Sequence, residues 1–195
     1  MSAATAIPRE LVGGVWRIPV DRYHEWIRSG DLTPDDRIEL LEALLVEKAP
    51  KNPAHRIDGR LTFDALVKSA GSNWHVDEQN PITLQDSEPE PDVVIVKGST
   101  RDYRDRHPGP ADVGLVVEVS ETSLRHDRLV KKRIYASAGI PVYWILDVAS
   151  RTLEVYREPR GSDYAQRELF SEDESVGLEL AGEKMARLLV RDLLP

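Results

Sequence analysis

The chain has 195 residues, of which 41% are hydrophobic and 31% charged, and its formal net charge is -8. This composition is that of an ordinary globular protein and excludes the disordered and collagen-like classes. The sequence has no cysteine, which excludes disulfides, thiolate catalysis and cysteine-bound zinc and leaves carboxylates and histidines as candidate metal ligands. Such ligands favour hard cations, Mg²⁺ or Mn²⁺.

The length predicts one domain over residues 1–195, with residues 1–17 as a loosely held lead-in because they show little periodicity. No apolar run approaches the roughly 18 to 20 residues of a membrane span, and the N-terminus lacks the basic and apolar regions of a secretory signal. We therefore expect a cytoplasmic protein with no membrane partner. The negative charge restricts any contact with nucleic acid to local basic surface.

The N-terminal part predicts two helices and one ambiguous segment. Asp21 is expected to cap a short helix that ends at Gly30. Residues 37–49 carry paired apolar residues that fit both a helix and a hairpin, so both remain open. Residues 54–69 carry apolar residues at helical spacing, which predicts a longer helix.

The centre of the chain predicts a strand, helix, strand unit. Residues 93–96, 114–120 and 142–147 are short, rich in β-branched residues and typical of buried strands, and residues 123–138 have the pattern of a helix. The order from the second strand to the third predicts a right-handed crossover between parallel strands.

The C-terminal third predicts more strands. Residues 152–157, 164–170 and 176–180 are separated by turn residues and indicate an antiparallel continuation of the sheet. The last stretch, 186–194, is apolar enough to dock on the body of the domain. No internal repeat or linker divides the chain.

Three carboxylates lie in apolar surroundings. Asp92 heads the strand at 93–96, Glu118 lies inside the next strand on the same face as Ser120, and Glu39 is flanked by apolar residues. A buried carboxylate is costly unless it is paired, protonated or bound to a metal. Asp92 and Glu118 on neighbouring strands could share a divalent cation, although a structural pair, for instance with a buried Arg, is the commoner arrangement.

Basic residues cluster around the predicted crossover helix. Asp127, Lys131 and Tyr135 share one helix face, so Lys131 either forms a surface ion pair with Asp127 or reaches over the carboxylates, where it would stabilise a phosphorane-like transition state. The remaining candidates for contacts to nucleic acid are His55, Arg125, Arg128 and Lys132. Solvated faces explain these charges as well. Nucleotide-loop, nucleophile-elbow and zinc-hydrolase motifs are missing.

The sequence resembles the Uma-type family (Uma-two) of restriction endonucleases, within the PD-(D/E)XK nuclease superfamily, across roughly residues 20–160. The blocks that carry the resemblance, in family order, are RIELLEALLVE, PAHRI, SEPEPDVVIV, LVVEVSETSLRHDRLVKKRIYASAGIPVYWILD and RTLEVYR. The resemblance implies an α/β fold of the α+β mixed type, in which a central mixed β-sheet is flanked by helices.

The family pattern assigns the active-site positions. It places the PD motif on Pro91 and Asp92, its second acidic position on Glu118 and its early glutamate on Glu39. The usual lysine two residues after Glu118 is replaced by Ser120. In this family the lysine has migrated to the following helix, which points by position to Lys131, with Lys132 as the alternative. Ala43 also departs from the family, which usually has a glycine in that turn.

The implied activity is metal-assisted hydrolysis of phosphodiester bonds in nucleic acid, with DNA favoured. Asp92, Glu118 and the main-chain carbonyl of Val119 would hold Mg²⁺ or Mn²⁺, Lys131 would orient the water or neutralise the transition state, and Glu39 would position a second ligand. The nuclease class also implies a homodimer. Two alternatives of the same fold remain open: a nucleic-acid-binding module that has lost cleavage, and a dimeric assembly module whose acidic cluster is structural.

Overall fold

The structure is a computed structural model, and it describes residues 14–48 and 53–194, with the side chains of 53–58 left aside. Its helices are α1 (Val20–Ser29), α2 (Pro53–Ser69), α3 (Leu124–His126) and α4 (Lys132–Ser137), with a π-helical turn at Asp127–Lys131 that joins α3 to α4. Its strands are β1 (Ile38–Leu41), β2 (Leu44–Glu47), β3 (Trp74–Glu78), β4 (Val93–Lys97), β5 (Val113–Ser120), β6 (Val142–Asp147), β7 (Thr152–Arg160), β8 (Asp163–Ser171), β9 (Ser175–Leu180) and β10 (Glu183–Leu189). We call the unbroken run from α3 to α4 the crossover helix.

Six strands form the central sheet in the order β3-β4-β5-β6-β7-β8. Only β5 and β6 are parallel within it, and the crossover helix connects them, as the strand, helix, strand pattern predicted. All eight residues of β5 are buried, which agrees with a central strand covered on both faces. The predicted mixed sheet flanked by helices is confirmed.

Alternating residues of the strands face two separate cores. One face packs against α2 and the β9–β10 hairpin and buries Val117, Val119 and Trp144; we call it the apolar face. The other packs against the crossover helix and buries Val116 and Tyr143; we call it the helix face. Glu118 falls on the helix face because it alternates with Val117 and Val119.

The ambiguous segment 37–49 folds as the β1–β2 hairpin rather than as a helix. Its two turn residues, Glu42 and Ala43, have φ of 49° and 62°. Positive φ at both central residues is the mark of a two-residue type I′ turn, whose twist matches that of the strands. Ala43 therefore adopts the left-handed conformation that the family's glycine takes readily, at a cost of roughly 1 to 2 kcal/mol.

Two sequence predictions are wrong in detail. Residues 176–180 do not extend the sheet, because β9 pairs with β10 in a separate hairpin. The alternate residues Val176, Leu178 and Leu180 of β9 are buried in the apolar face, so the strand covers the sheet instead of lengthening it. Asp21 lies within the first turn of α1, whose N-cap is Pro19.

The C-terminal stretch does dock on the body, since Val190, Leu193 and Leu194 are buried in the apolar face. In the described part of the chain, no helix combines the length and the apolar character that crossing a membrane requires.

Candidate active site

Four charged side chains from four different elements meet on the helix face. Glu39 comes from β1, Asp92 directly precedes β4, Glu118 lies in β5 and Lys131 ends the π-helical turn. Their relative exposures are 7%, 8%, 5% and 4% in that order. The structure thus brings together the whole set that the sequence predicted as catalytic.

Lys131 is the centre of this cluster. Its Nζ lies 2.7 Å from Oε2 of Glu39 and 3.7 Å from Oε1 of Glu118. Burial alone lowers the pKa of Lys131, but the carboxylates of Glu118 and Glu39 outweigh it, so the pKa is raised above its ordinary value. The two glutamates therefore share one ammonium that stays protonated at neutral pH.

The strand register explains how Asp92 and Glu118 become neighbours. Val93 of β4 pairs with Val117 of β5, and the same antiparallel register continued by one residue sets Asp92 opposite Glu118. The main-chain N–H of Val119 donates to Oδ2 of Asp92 at 2.9 Å. The main chain of Val119 thus borders the cluster, while its side chain lies in the apolar face.

The surroundings of Glu118 disfavour its ionised form. Burial raises its pKa well above the ordinary value, the ammonium of Lys131 opposes this rise, and the carboxylates of Asp92 and Asp127 add to it. A positive charge near Glu118 is therefore favourable.

Tyr135 also belongs to the site, although the sequence interpretation did not place it there. Its hydroxyl donates to Oε1 of Glu118 at 2.6 Å, and the ring is fully buried. Burial and the charge of Glu118 raise the pKa of Tyr135 well above its ordinary value, so it remains a neutral donor. The signal was present in the sequence, because Tyr135 shares the face of Lys131 at helical spacing.

The alternative of a surface ion pair between Asp127 and Lys131 is wrong, since both side chains are buried. Lys131 points to Glu39 instead, and Oδ2 of Asp127 accepts hydrogen bonds from two serine hydroxyls.

The predicted contacts to nucleic acid lie in different settings. Nε of Arg128 donates to Oε1 of Glu154 at 2.7 Å, and Glu154 is 0% exposed. Nζ of Lys132 lies 2.7 Å from Oδ1 of Asp163, a carboxylate outside the cluster. Arg125 is exposed, and the side chain of His55 lies outside the described residues. Arg128 and Lys132 thus already have ionic partners.

The donor atoms predicted around Glu118 are oxygens, the type that hard divalent cations bind. No group of three or more His, Cys, Asp or Glu residues in the described ranges is arranged to hold a metal. The predicted donor set contains only two such side chains, Asp92 and Glu118, together with the carbonyl of Val119. Mg²⁺ is commonly held by one or two carboxylates plus water and substrate phosphate, because it gives up its water reluctantly. The chemistry of the set is therefore compatible with Mg²⁺ or Mn²⁺.

The chain is similar to known proteins both in sequence and in fold. The sequence model of a family described as "Uma2: Putative restriction endonuclease" matches residues 20–190. A crystal structure of a "putative nuclease belonging to DUF820" from Anabaena variabilis matches with a TM-score of 0.62 and 16% sequence identity, over 90% of this chain and 97% of that chain. At this identity the likeness shows the fold alone. No curated protein matches the chain significantly.

Proposed function

The chain belongs to the Uma2 family, as the sequence resemblance predicted, and we therefore propose that it is a metal-dependent endonuclease that hydrolyses phosphodiester bonds in DNA. The observation that supports this proposal is a cluster of four buried charged side chains on one face of the sheet: Glu39, Asp92, Glu118 and Lys131. Four charged groups from distant parts of the chain are costly to bury together, and such clusters are concentrated at functional sites.

The carboxylates would bind the cofactor. Asp92, Glu118 and the carbonyl of Val119 would hold Mg²⁺ or Mn²⁺, which when bound supplies polarisation of the phosphate and a more acidic water. Tyr135 keeps the carboxylate of Glu118 in place through its hydrogen bond at 2.6 Å.

Lys131 would act on the substrate. Its protonated ammonium lies in a site screened from water, where a positive charge stabilises the negative charge that develops on the phosphate oxygens. Glu39 holds that ammonium at 2.7 Å and so sets its position before substrate arrives.

Two of the four predicted contacts to nucleic acid remain candidates for contact with a substrate. Arg125 and His55 stay predicted contacts to nucleic acid, whereas we expect less from Arg128 and Lys132, which already pair with carboxylates. We also propose that residues 1–195 form one domain and that the protein acts as a homodimer, as a nuclease that addresses two strands would.

The close pair between Lys131 and Glu39 also fits a second candidate, a member of the fold that binds nucleic acid without cutting it. In that case the ammonium would serve only to neutralise buried carboxylates. This candidate predicts binding to DNA that persists in the presence of a chelator and no cleavage with any divalent metal.

The test is cleavage of supercoiled plasmid, single-stranded DNA and a matched RNA with Mg²⁺ or Mn²⁺, with EDTA as the metal control. We expect metal-dependent nicking of the plasmid by the wild type and a loss of at least about 10²-fold in Asp92→Asn and in Lys131→Ala. The first variant weakens the binding of the metal, and the second removes the positive charge that would stabilise the transition state. Lys184→Ala, at an exposed lysine of β10, is the matched control and should cut like the wild type.

Three outcomes would count against the proposal. If a well-folded wild type binds metal and DNA but never cuts, the binding module is the better description. If only the RNA is cut, the substrate class is wrong. If Lys132→Ala abolishes cutting and Lys131→Ala does not, the migrated lysine is misassigned.

A further inference from the structure

The crossover helix departs from α-helical geometry at the segment that carries the site lysine. Its hydrogen-bonding pattern is π-helical from Asp127 to Lys131 and α-helical on both sides. Such π turns are rare, and those that do occur are often found at functional sites. The wider turn changes the direction of the side chains that follow it. Here the turn begins and ends on a buried charged residue, Asp127 and Lys131.

Two serines hold the first residue of this turn. Oγ of Ser120, at the end of β5, and Oγ of Ser123, just before α3, each donate to Oδ2 of Asp127 at 2.6 Å. Ser120 is fully buried and lies two residues after Glu118 on the same strand face. Through these two bonds, Asp127 connects the first part of the crossover helix to β5, the strand that carries Glu118, and to the loop between β5 and the helix.

The hydrogen bonds from the two serines stabilise the buried carboxylate of Asp127. A buried carboxylate without hydrogen bonds is strongly unfavourable, and bonds from hydroxyls to an ionised oxygen are short and stronger than neutral ones. The main chain of the π turn is thus anchored at its first residue. Lys131 lies at the other end of the same turn, so the anchor limits where its ammonium can lie between Glu39 and Glu118.

We propose that Ser120, Ser123 and Asp127 are positioning residues that hold the π turn so that the ammonium of Lys131 reaches the active site. The proposal rests on the proposed nuclease function and deepens it. Ser120 stands at the position where the superfamily pattern has its lysine. In this chain that position orients the migrated lysine instead of supplying an ammonium.

A double-mutant cycle on the turnover rate separates positioning from general support of the fold. Ser120→Ala should lower kcat about tenfold with little change in KM, because displacing a catalytic group by about 1 Å can cost up to roughly 10²-fold. In a Lys131→Ala background the same change should have no further effect, since the group being positioned is gone. Ser120→Thr, which keeps the hydroxyl, should recover most of the activity. Ser137→Ala, at an exposed serine of the same helix, is the matched control.

An equal loss from Ser120→Ala in both backgrounds would overturn the proposal, because it would show that Ser120 does not act through Lys131. A second readout does not depend on activity. In crystal structures of Ser120→Ala and Asp127→Asn, we expect the distance from Nζ of Lys131 to Oε2 of Glu39 to lengthen from 2.7 Å beyond hydrogen-bonding range. An unchanged distance in both variants overturns the positioning role whether or not the wild type cuts DNA. A wild type that cuts nothing while the distance lengthens would count only against the nuclease function.

Discussion

The two faces of the central sheet are built from alternate residues of the same strands, yet they bury different chemistry. The apolar face carries side chains such as Val117 and Trp144 against α2 and the β9–β10 hairpin. The buried charged residues that lie in or next to the sheet strands, in the described part of the chain, all belong to the helix face: Asp92, Glu118, Asp147 and Glu154. The separation follows from the two-residue period of a strand, which sends neighbours such as Val117 and Glu118 to opposite sides.

This difference shows how the fold can tolerate a costly site. Burying apolar area stabilises the protein by roughly 25 cal/mol per Å². For buried charges, the attraction between them offsets the cost of removing them from water only when the partners are well placed. The apolar face therefore supplies stability that does not depend on fine geometry. On the helix face, by contrast, the stability of the buried charges depends on the exact positions of pairs such as Lys131 and Glu39.

The largest effect is expected from breaking the charge pairing on the helix face. Lys131→Met leaves Glu39 and Glu118 without their shared ammonium, and removing one partner of a buried pair costs about 3 to 5 kcal/mol. Urea denaturation should show this loss in the free energy of unfolding. The double variant Glu39→Gln with Lys131→Met should regain part of the stability but none of the activity. A single variant as stable as the wild type would contradict the pairing.

A comparable loss of stability without loss of chemistry is expected on the other face. Leu115→Ala removes a fully buried side chain of the apolar face and should cost about 2 to 5 kcal/mol, as large-to-small core changes do. At a temperature where the variant is folded, its cleavage rate per folded molecule should equal that of the wild type. A rate that falls further than the folded fraction would mean that the two faces are coupled.

The smallest effect is expected at the exposed link between the β1–β2 hairpin and the crossover helix. Arg133 donates to both carboxylate oxygens of Glu42, at 2.7 and 2.6 Å. Both side chains are partly exposed, at 44% and 36% of their surface, so water screens the pair, and a double-mutant cycle with alanine at each position should give a coupling of no more than about 1 kcal/mol. A larger coupling would show that this pair joins the hairpin to the crossover helix more strongly than a solvent-screened ion pair does.

Local patterns predicted much of the fold and the members of the site. Runs of β-branched residues marked β4, β5 and β6, and helical spacing marked α2 and the crossover helix. Asp92, directly before one of those runs, and Glu118, inside another, were recognisable because carboxylates are uncommon next to or within buried strands. The assignment of β9 failed because strand pattern alone does not say which neighbour a strand pairs with.

Periodicity and composition are properties of neighbouring residues, and they were enough to show which strand faces carry carboxylates and which helix face carries Lys131 and Tyr135. The partners of those groups could not be found in this way. Lys131 meets a glutamate 92 positions away in the chain, and Arg128 pairs with the buried carboxylate of Glu154. Such choices depend on how separate elements pack, because a buried charge pairs with whichever opposite charge the packing brings within hydrogen-bonding distance.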